Sequence, residues 1–200
     1  MKQVKSNDGA RFRGIFSGEI LRPYDQELAK SIKAKFGFNS PEYRAIPRYL
    51  ADTFEGHNLI TTEGLNRLQD VMFHGTTQTT TWYCCLVETD TAPAAGMTYD
   101  VPVYTESTSY DESGAGRPAY VEAASAAGVT TNTLNKAVFT ISATKTMYGA
   151  SLVSVITAGD HTGGANNVLY CYAKITASRA VVDKDDINLT YQTSSADDAV

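Results

Sequence analysis

The sequence predicts a mainly β protein: an antiparallel β-sandwich, jelly-roll or immunoglobulin-like, with one packed helix and a partly helical N-terminal arm. Three observations lead there. From Thr79 onward, β-branched and aromatic runs are separated by turn residues, the pattern of many short strands. Within those runs apolar residues recur at every second position, so one face of each strand is apolar. Thr, Ser and Ala crowd the second half while Lys, Arg and Glu are sparse there. A chain of 200 residues is long enough for one domain with a sizeable core. It divides into 1–57, an arm with a short helix, and 58–200, the sandwich.

Residues 1–22 mix charge, Gly and isolated aromatics without a sustained period, which predicts an extended arm that needs a partner surface. Asp25 to Phe36 reads as an amphipathic helix with Leu28, Ile32 and Phe36 at steps of four, stopped by Gly37. Phe38 to Tyr49, broken by Pro41 and Pro47, predicts a wrapping loop. A second helix begins at a Thr61 or Thr62 cap, carries Glu63 in its first turn, aligns Leu65, Leu68, Val71 and Met72, and closes at Gly75. Strands are predicted at 80–89, 101–105, 118–123, 136–143, 147–157, 168–176 and 187–193. Ile187, Leu189 and Tyr191 alternate with Asn188, Thr190 and Gln192, so the last strand is half-buried, and Ser194 to Val200 is a polar fray.

Charge and cysteine usage narrow the function classes. The formal charge of −5 is uneven: residues 1–57 carry ten Lys/Arg against seven Asp/Glu, and residues 58–200 carry seven against fifteen. The N-terminal part is too mixed in sign for a nucleic-acid arm. Three cysteines, two adjacent at Cys84 and Cys85, do not form a secreted disulfide framework. Neither a signal-peptide core nor a long apolar span is present in the sequence, so no membrane partner is expected and synthesis in the cytoplasm is.

Each string that resembles a catalytic or ligand-binding motif has a simpler reading. Gly149-Ala-Ser151-Leu-Val153 lacks the second glycine of a nucleophile elbow. His57, His74 and His161 are scattered, and Cys84 and Cys85 point to opposite faces of a strand, which does not suit zinc. Gly114-Ala-Gly116-Arg117 reads as a turn rather than a phosphate loop. Asp183-Lys-Asp185-Asp186 reads as a solvated turn rather than a calcium loop, and His161 as a surface residue. Trp82, Tyr83, Tyr170 and Tyr172, at strand spacing, read as core and cross-strand pairs rather than a stacking platform. No catalytic residue, metal or cofactor is predicted, and the chain is expected not to be an enzyme.

The order of several segments resembles a family of small β-sandwich virion proteins of tailed bacteriophages. The segments are Asn58-Leu-Ile, Gly64-Leu-Asn-Arg-Leu68, Thr81-Trp82-Tyr83-Cys-Cys-Leu86, Ala92-Pro-Ala-Ala-Gly-Met97 and Arg117-Pro118-Ala119-Tyr120. They continue as Asn135-Lys-Ala137-Val-Phe139-Thr-Ile141, Met147-Tyr-Gly149-Ala150, Leu169-Tyr170 and Asp185-Asp-Ile187-Asn-Leu189-Thr-Tyr191. The family tends to have Gly where Cys85 stands and a Gly-Asp turn where Lys184-Asp185 stands; residues 1–57 lie outside the resemblance.

The resemblance implies a virion structural protein; a rigid sandwich with edge strands that sits on a shell, and an aromatic-rich, mixed-charge arm that orders on neighbouring subunits, then point to decorating or cementing the capsid. Its partners would be the major capsid protein or other virion proteins, together with copies of itself as a trimer or dimer. Phe12, Phe16, Phe36, Phe38, Tyr43 and Tyr49 are then expected as anchors of the arm, with Arg13, Arg44 and Arg48 pairing to carboxylates across the interface. Alternatively, Leu28, Ile32, Phe36 and Tyr49 fold back on the chain's own body. Competing functions are a tail, collar or fibre component, and a carbohydrate-binding module that uses Trp82.

Overall fold

A computed structural model describes residues 10–164 and 166–197. The element order is β1 (Ala10–Pro23), α1 (Gln26–Phe36), α2 (Pro41–Arg44), β2 (Arg48–Ile60), α3 (Thr62–Phe73), β3 (Trp82–Val87), β4 (Ala119–Tyr120), β5 (Val129–Thr131), β6 (Ala137–Thr140), β7 (Lys145–Val153), β8 (Leu169–Val181) and β9 (Asp186–Asp197). The protein is mainly β, and every strand pair is antiparallel.

The strands join into one curled sheet in the order β4-β3-β7-β8-β2-β1-β9, with β5 and β6 sharing the outer edge of β9. β2 is the corner. Its residues 48–57 pair with β1, while Asn58 to Ile60 pair with Ala173 to Cys171 of β8. The curl encloses one core to which six long strands contribute, including Phe16, Phe54, Leu86, Leu152, Cys171, Leu189 and Tyr191. Phe16 stacks on Tyr191 at 4.5 Å between ring centroids. A second cluster on the other face of β3 gathers Cys85, Val87, Tyr99, Tyr104 and Tyr172.

The N-terminal segment departs from the expected arm. β1 is hydrogen-bonded on both edges, from Ala10 to Leu21 against β9 and from Ile15 to Pro23 against β2. Its alternation of Phe16, Gly18 and Ile20 inward against Ile15, Ser17 and Glu19 outward marks a half-buried strand. Glycines at 14 and 18 conceal that pattern, yet close packing needs them. A Cβ on Gly18 would lie 2.1 Å from the Phe54 ring, so the apolar row is completed by a side chain of the neighbouring strand. The expected boundary between 57 and 58 falls inside β2. The expected fray from Ser194 is strand as far as Asp197; residues 1–9 and 198–200 of the expected arm and tail lie outside the described residues.

Other differences are local. Residues 101–105 are not a strand, because Tyr99 and Tyr104 both enter the second cluster. An odd spacing would put them on opposite faces of a strand, so the chain turns between them, with Val103 at φ 66°. The segment 118–123 contributes only Ala119–Tyr120, and β5 was concealed among small residues. The wrapping loop holds α2, capped by the Ser40 hydroxyl on the Tyr43 amide, and the start of β2.

Helix α3 begins as expected at Thr61, whose hydroxyl accepts from the Gly64 amide at 2.9 Å and donates to the Leu169 carbonyl. Of its apolar stripe only Leu68 packs on the main core, whereas Leu65 and Met72 are exposed. At its first turn Gly64 rests directly on the Tyr170 backbone, so the helix is seated on β8 by its N-terminal end. Among the described residues no helix is long and apolar enough to cross a membrane.

Candidate functional site

Between β1 and β2 the chain leaves the sheet as an insert carrying α1 and α2. Its small core of Ala29, Tyr43 and Ile46, with Ile32 and Phe38 beside it, seats α2 near the first residues of β9. A cleft of about 580 Å³ lies between this insert and the edge formed by β6 and β9. Phe38, Asn39, Tyr43, Arg44 and Arg48 line one wall; Glu112, Val138, Thr140 and Asp186 line the other.

Arg48 organises the cleft. Its Nη1 donates to the carbonyls of Tyr43 and Ile46 at 3.5 and 3.3 Å, its plane lies 5.0 Å over the Tyr43 ring, and its Nε stands 2.9 Å from Asp186 Oδ2. The guanidinium thereby ties the insert to β9. Burial pushes the Asp186 carboxyl up to about 6, more than the opposing charge of Arg48 lowers it. Burial likewise pushes the Tyr43 hydroxyl up to about 12, with the Asp186 charge adding to the effect. Arg48 Nη2, Tyr43 Oη and Asp186 Oδ1 are buried without a hydrogen-bond partner among the described residues. At the mouth, Arg44 donates to Asn39 Oδ1 at 2.8 Å, and Glu112 accepts from the Thr140 amide at 3.0 Å.

Four of the nine predicted contact residues, Phe38, Tyr43, Arg44 and Arg48, therefore meet in one place. Tyr43 does so as a buried floor residue, 2% exposed, and Arg48 through an ion pair within its own chain. Phe16 belongs to the core and is no anchor. Phe12 and Arg13 are exposed at the far end of β1, opposite Ser195 and Ser194. Phe36 is exposed at the end of α1 beneath the Lys35 ammonium. Tyr49 is exposed and stacks on Tyr24 at 5.1 Å. Of the residues expected to fold back, Leu28, Phe36 and Tyr49 are exposed, and only Ile32 packs on the small core.

Sequence reasoning missed Asp186 and Glu112. The acidic run is not a solvated turn: Asp185 is fully buried and accepts from Arg22 Nε and Nη2 at 2.8 and 2.7 Å, while Asp186 faces Arg48. The available signal was the position of the run at the start of an alternating strand, where the next inward residue, Ile187, is core. His161 is also no free surface residue. Its Nε2 lies 3.1 Å from Glu106 Oε2 and its Nδ1 3.1 Å from the Tyr99 carbonyl. Glu106 is itself paired with buried Arg117; burial alone would raise its carboxyl, but bonds from Arg117 and His161 hold it below its usual value. Trp82 is half-buried against Tyr170 at 5.4 Å, and Tyr172 is fully buried.

No protein-family model matches the chain, and no curated protein matches it in sequence.

Proposed function

We propose that this chain is a non-enzymatic structural protein of a tailed-bacteriophage particle, which decorates or cements the capsid and is made in the cytoplasm of the host bacterium. In this reading the two halves of the curled sheet are the facing layers of a β-sandwich, and the partner is the major capsid protein or another virion protein. The insert, rather than a free arm, is the docking element, because β1 is committed on both edges.

One observation supports docking: Tyr24, Leu28, Phe36, Tyr49 and Leu50 all leave large apolar side chains exposed on the insert and the strand ends that flank it. Single exposed apolar residues are ordinary, but a group on one protruding element marks an interaction surface. Lys30, Lys35 and Arg44 are exposed on the same insert and suit carboxylates of a partner. Self-association as a trimer or dimer through the same face suits a lattice protein.

Copy number in purified particles, taken relative to the main shell protein, tests the proposal. A decoration protein is expected in on the order of hundreds of copies per particle. A few copies would move the reading to a tail, collar or fibre component, and absence from particles would overturn it. The alternative of sugar binding on Trp82 is disfavoured because that ring packs against Tyr170.

A further inference from the structure

We propose that the outer face of α3 is a self-pairing surface, on which two copies of this chain join antiparallel about a two-fold axis at Gln69. The contact is separate from that of the insert, and the inference goes beyond the virion reading without resting on it.

An amphipathic helix on a protein surface normally turns its charged residues to water. Helix α1 does so with Glu27, Lys30 and Lys35. On α3 the arrangement is reversed: Leu65, Met72 and Phe73 are exposed, the last two at 72% and 84%, while Gly64 is buried and Leu68 packs on the core. The amides of Asn66 and Gln69 are exposed among them. Asp70 is the one exposed charged residue of the helix, and it lies about 100° round the axis from Gln69. Glu63 is engaged by the Tyr99 and Leu169 amides. An exposed apolar group depleted in charge has the composition of an interface centre, not of a solvated helix.

The order of the residues selects the occupant. In a two-fold pair, residues near the axis meet their own copies, so a charge there would repel itself. Gln69 carries both donor and acceptor and bonds reciprocally to Gln69 of the second copy. Leu65 precedes Gln69 by four residues, and Met72 and Phe73 follow it by three and four. In an antiparallel pair centred on Gln69, Leu65 therefore stands level with Met72 and Phe73 of the second copy, about 6 Å along the helix from the axis. The smaller apolar residue of each helix meets the two larger ones of the other, and both ends of the contact are alike. A lipid surface is disfavoured, because the one basic residue of α3, Arg67, is half-buried and bonded to the Thr79 hydroxyl and leaves no cation for headgroups. One helix face buries less than the roughly 800 Å² per partner of a standard interface, so the pair is a weak one.

The test uses the purified full chain. Sedimentation equilibrium is expected to show reversible dimerisation with a Kd on the order of 1–100 µM. Phe73→Lys, at an exposed position, is expected to weaken the dimer by about tenfold or more while leaving the unfolding midpoint unchanged, whereas Leu28→Asp on the insert leaves the dimer intact. Gln69→Cys reports on the axis itself. The native Cys84, Cys85 and Cys171 are buried, so the introduced thiol is the exposed one. Dissolved oxygen is expected to join it into a disulfide-linked dimer about tenfold or more faster than the thiol of Ala124→Cys, in the exposed segment after β4. A chain that stays monomeric to several hundred micromolar would overturn the proposal, as would equal disulfide rates at the two positions. A dimer that survives Phe73→Lys and is lost in Leu28→Asp would also overturn it, assigning self-association to the insert alone. Pelleting of a monomeric chain with phosphatidylglycerol vesicles, abolished by Phe73→Lys, would overturn it in favour of a lipid surface.

Discussion

Arg117 and Glu106 form a two-pronged ion pair with both side chains shut off from solvent: Nε donates to Oε1 at 2.8 Å and Nη2 to Oε2 at 2.6 Å. The remaining valences are also used. Arg117 Nη1 donates to the Val155 carbonyl and the Tyr99 hydroxyl, and its Nη2 donates to the Asp160 carbonyl as well, while the Gly159 amide donates to Glu106 Oε2. The pair thus fastens the loop after β7 to the segment after β3, both outside the main sheet pairing.

Removing one partner of this pair should be costly, because it leaves the other charge buried and unpaired. Arg117→Met is expected to lower unfolding stability by about 3–5 kcal/mol, and the double replacement Arg117→Met with Glu106→Met by less than either single change. Denaturant unfolding of the three variants measures this; a single variant as stable as the parent would refute it.

Acid should act on Glu106 and Asp186 with opposite signs. Glu106 has its carboxyl held below the usual value in the folded state, so its contribution is present above about 4.5 and lost as pH falls through the lowered value. Asp186 is pushed from 3.8 to about 6, so its contribution is full below 3.8 and is lost as pH rises through about 6. The Asp186 change corresponds to about 3 kcal/mol. Between pH 4 and 6 the Asp186→Asn variant should therefore lose less stability than the parent as pH rises, as read from unfolding midpoints across that window.

Gly64→Ala separates helix propensity from packing. Alanine favours a helix over glycine by about 1 kcal/mol, yet its Cβ would stand 2.3 Å from the Tyr170 carbonyl oxygen, a backbone atom of β8 that has little freedom to move. Net destabilisation of about 1–3 kcal/mol is expected from the overpacking. A stabilised variant in thermal unfolding would mean that α3 is not seated on β8.

Leu28→Asp and Leu50→Asp address docking. Both side chains are about half exposed, so each change should alter stability by no more than about 0.5 kcal/mol. Both are nevertheless expected to abolish co-sedimentation of the protein with particles that lack it. Retained co-sedimentation in both variants would remove the insert as the docking element.

Local chemistry made some of the fold legible. The Thr61 cap and the first-turn Glu63 located α3, and the inward row of Ile187, Leu189 and Tyr191 located β9, because capping and strand alternation are set by residues within a few positions of each other. In the candidate site, Phe38, Tyr43, Arg44 and Arg48 stood out for the same reason: aromatic and guanidinium groups crowd one short segment. Asp186 did not, since nothing near it in the chain indicates that Arg48 will face it.

The sequence by itself determined the mainly β character, the two longer helices and the inward faces of the later strands. Tertiary structure alone decided that residues 10–23 are a central strand and not an arm. Their hydrogen-bond partners lie on β2 and on β9, near the opposite end of the chain, and the side chain that fills the gap at Gly18 belongs to Phe54. It likewise decided that an acidic run is buried, because Arg22, 163 positions away from Asp185, supplies the compensating charge. Pairings of that range depend on which surfaces the closed sheet brings together, and no local period encodes them.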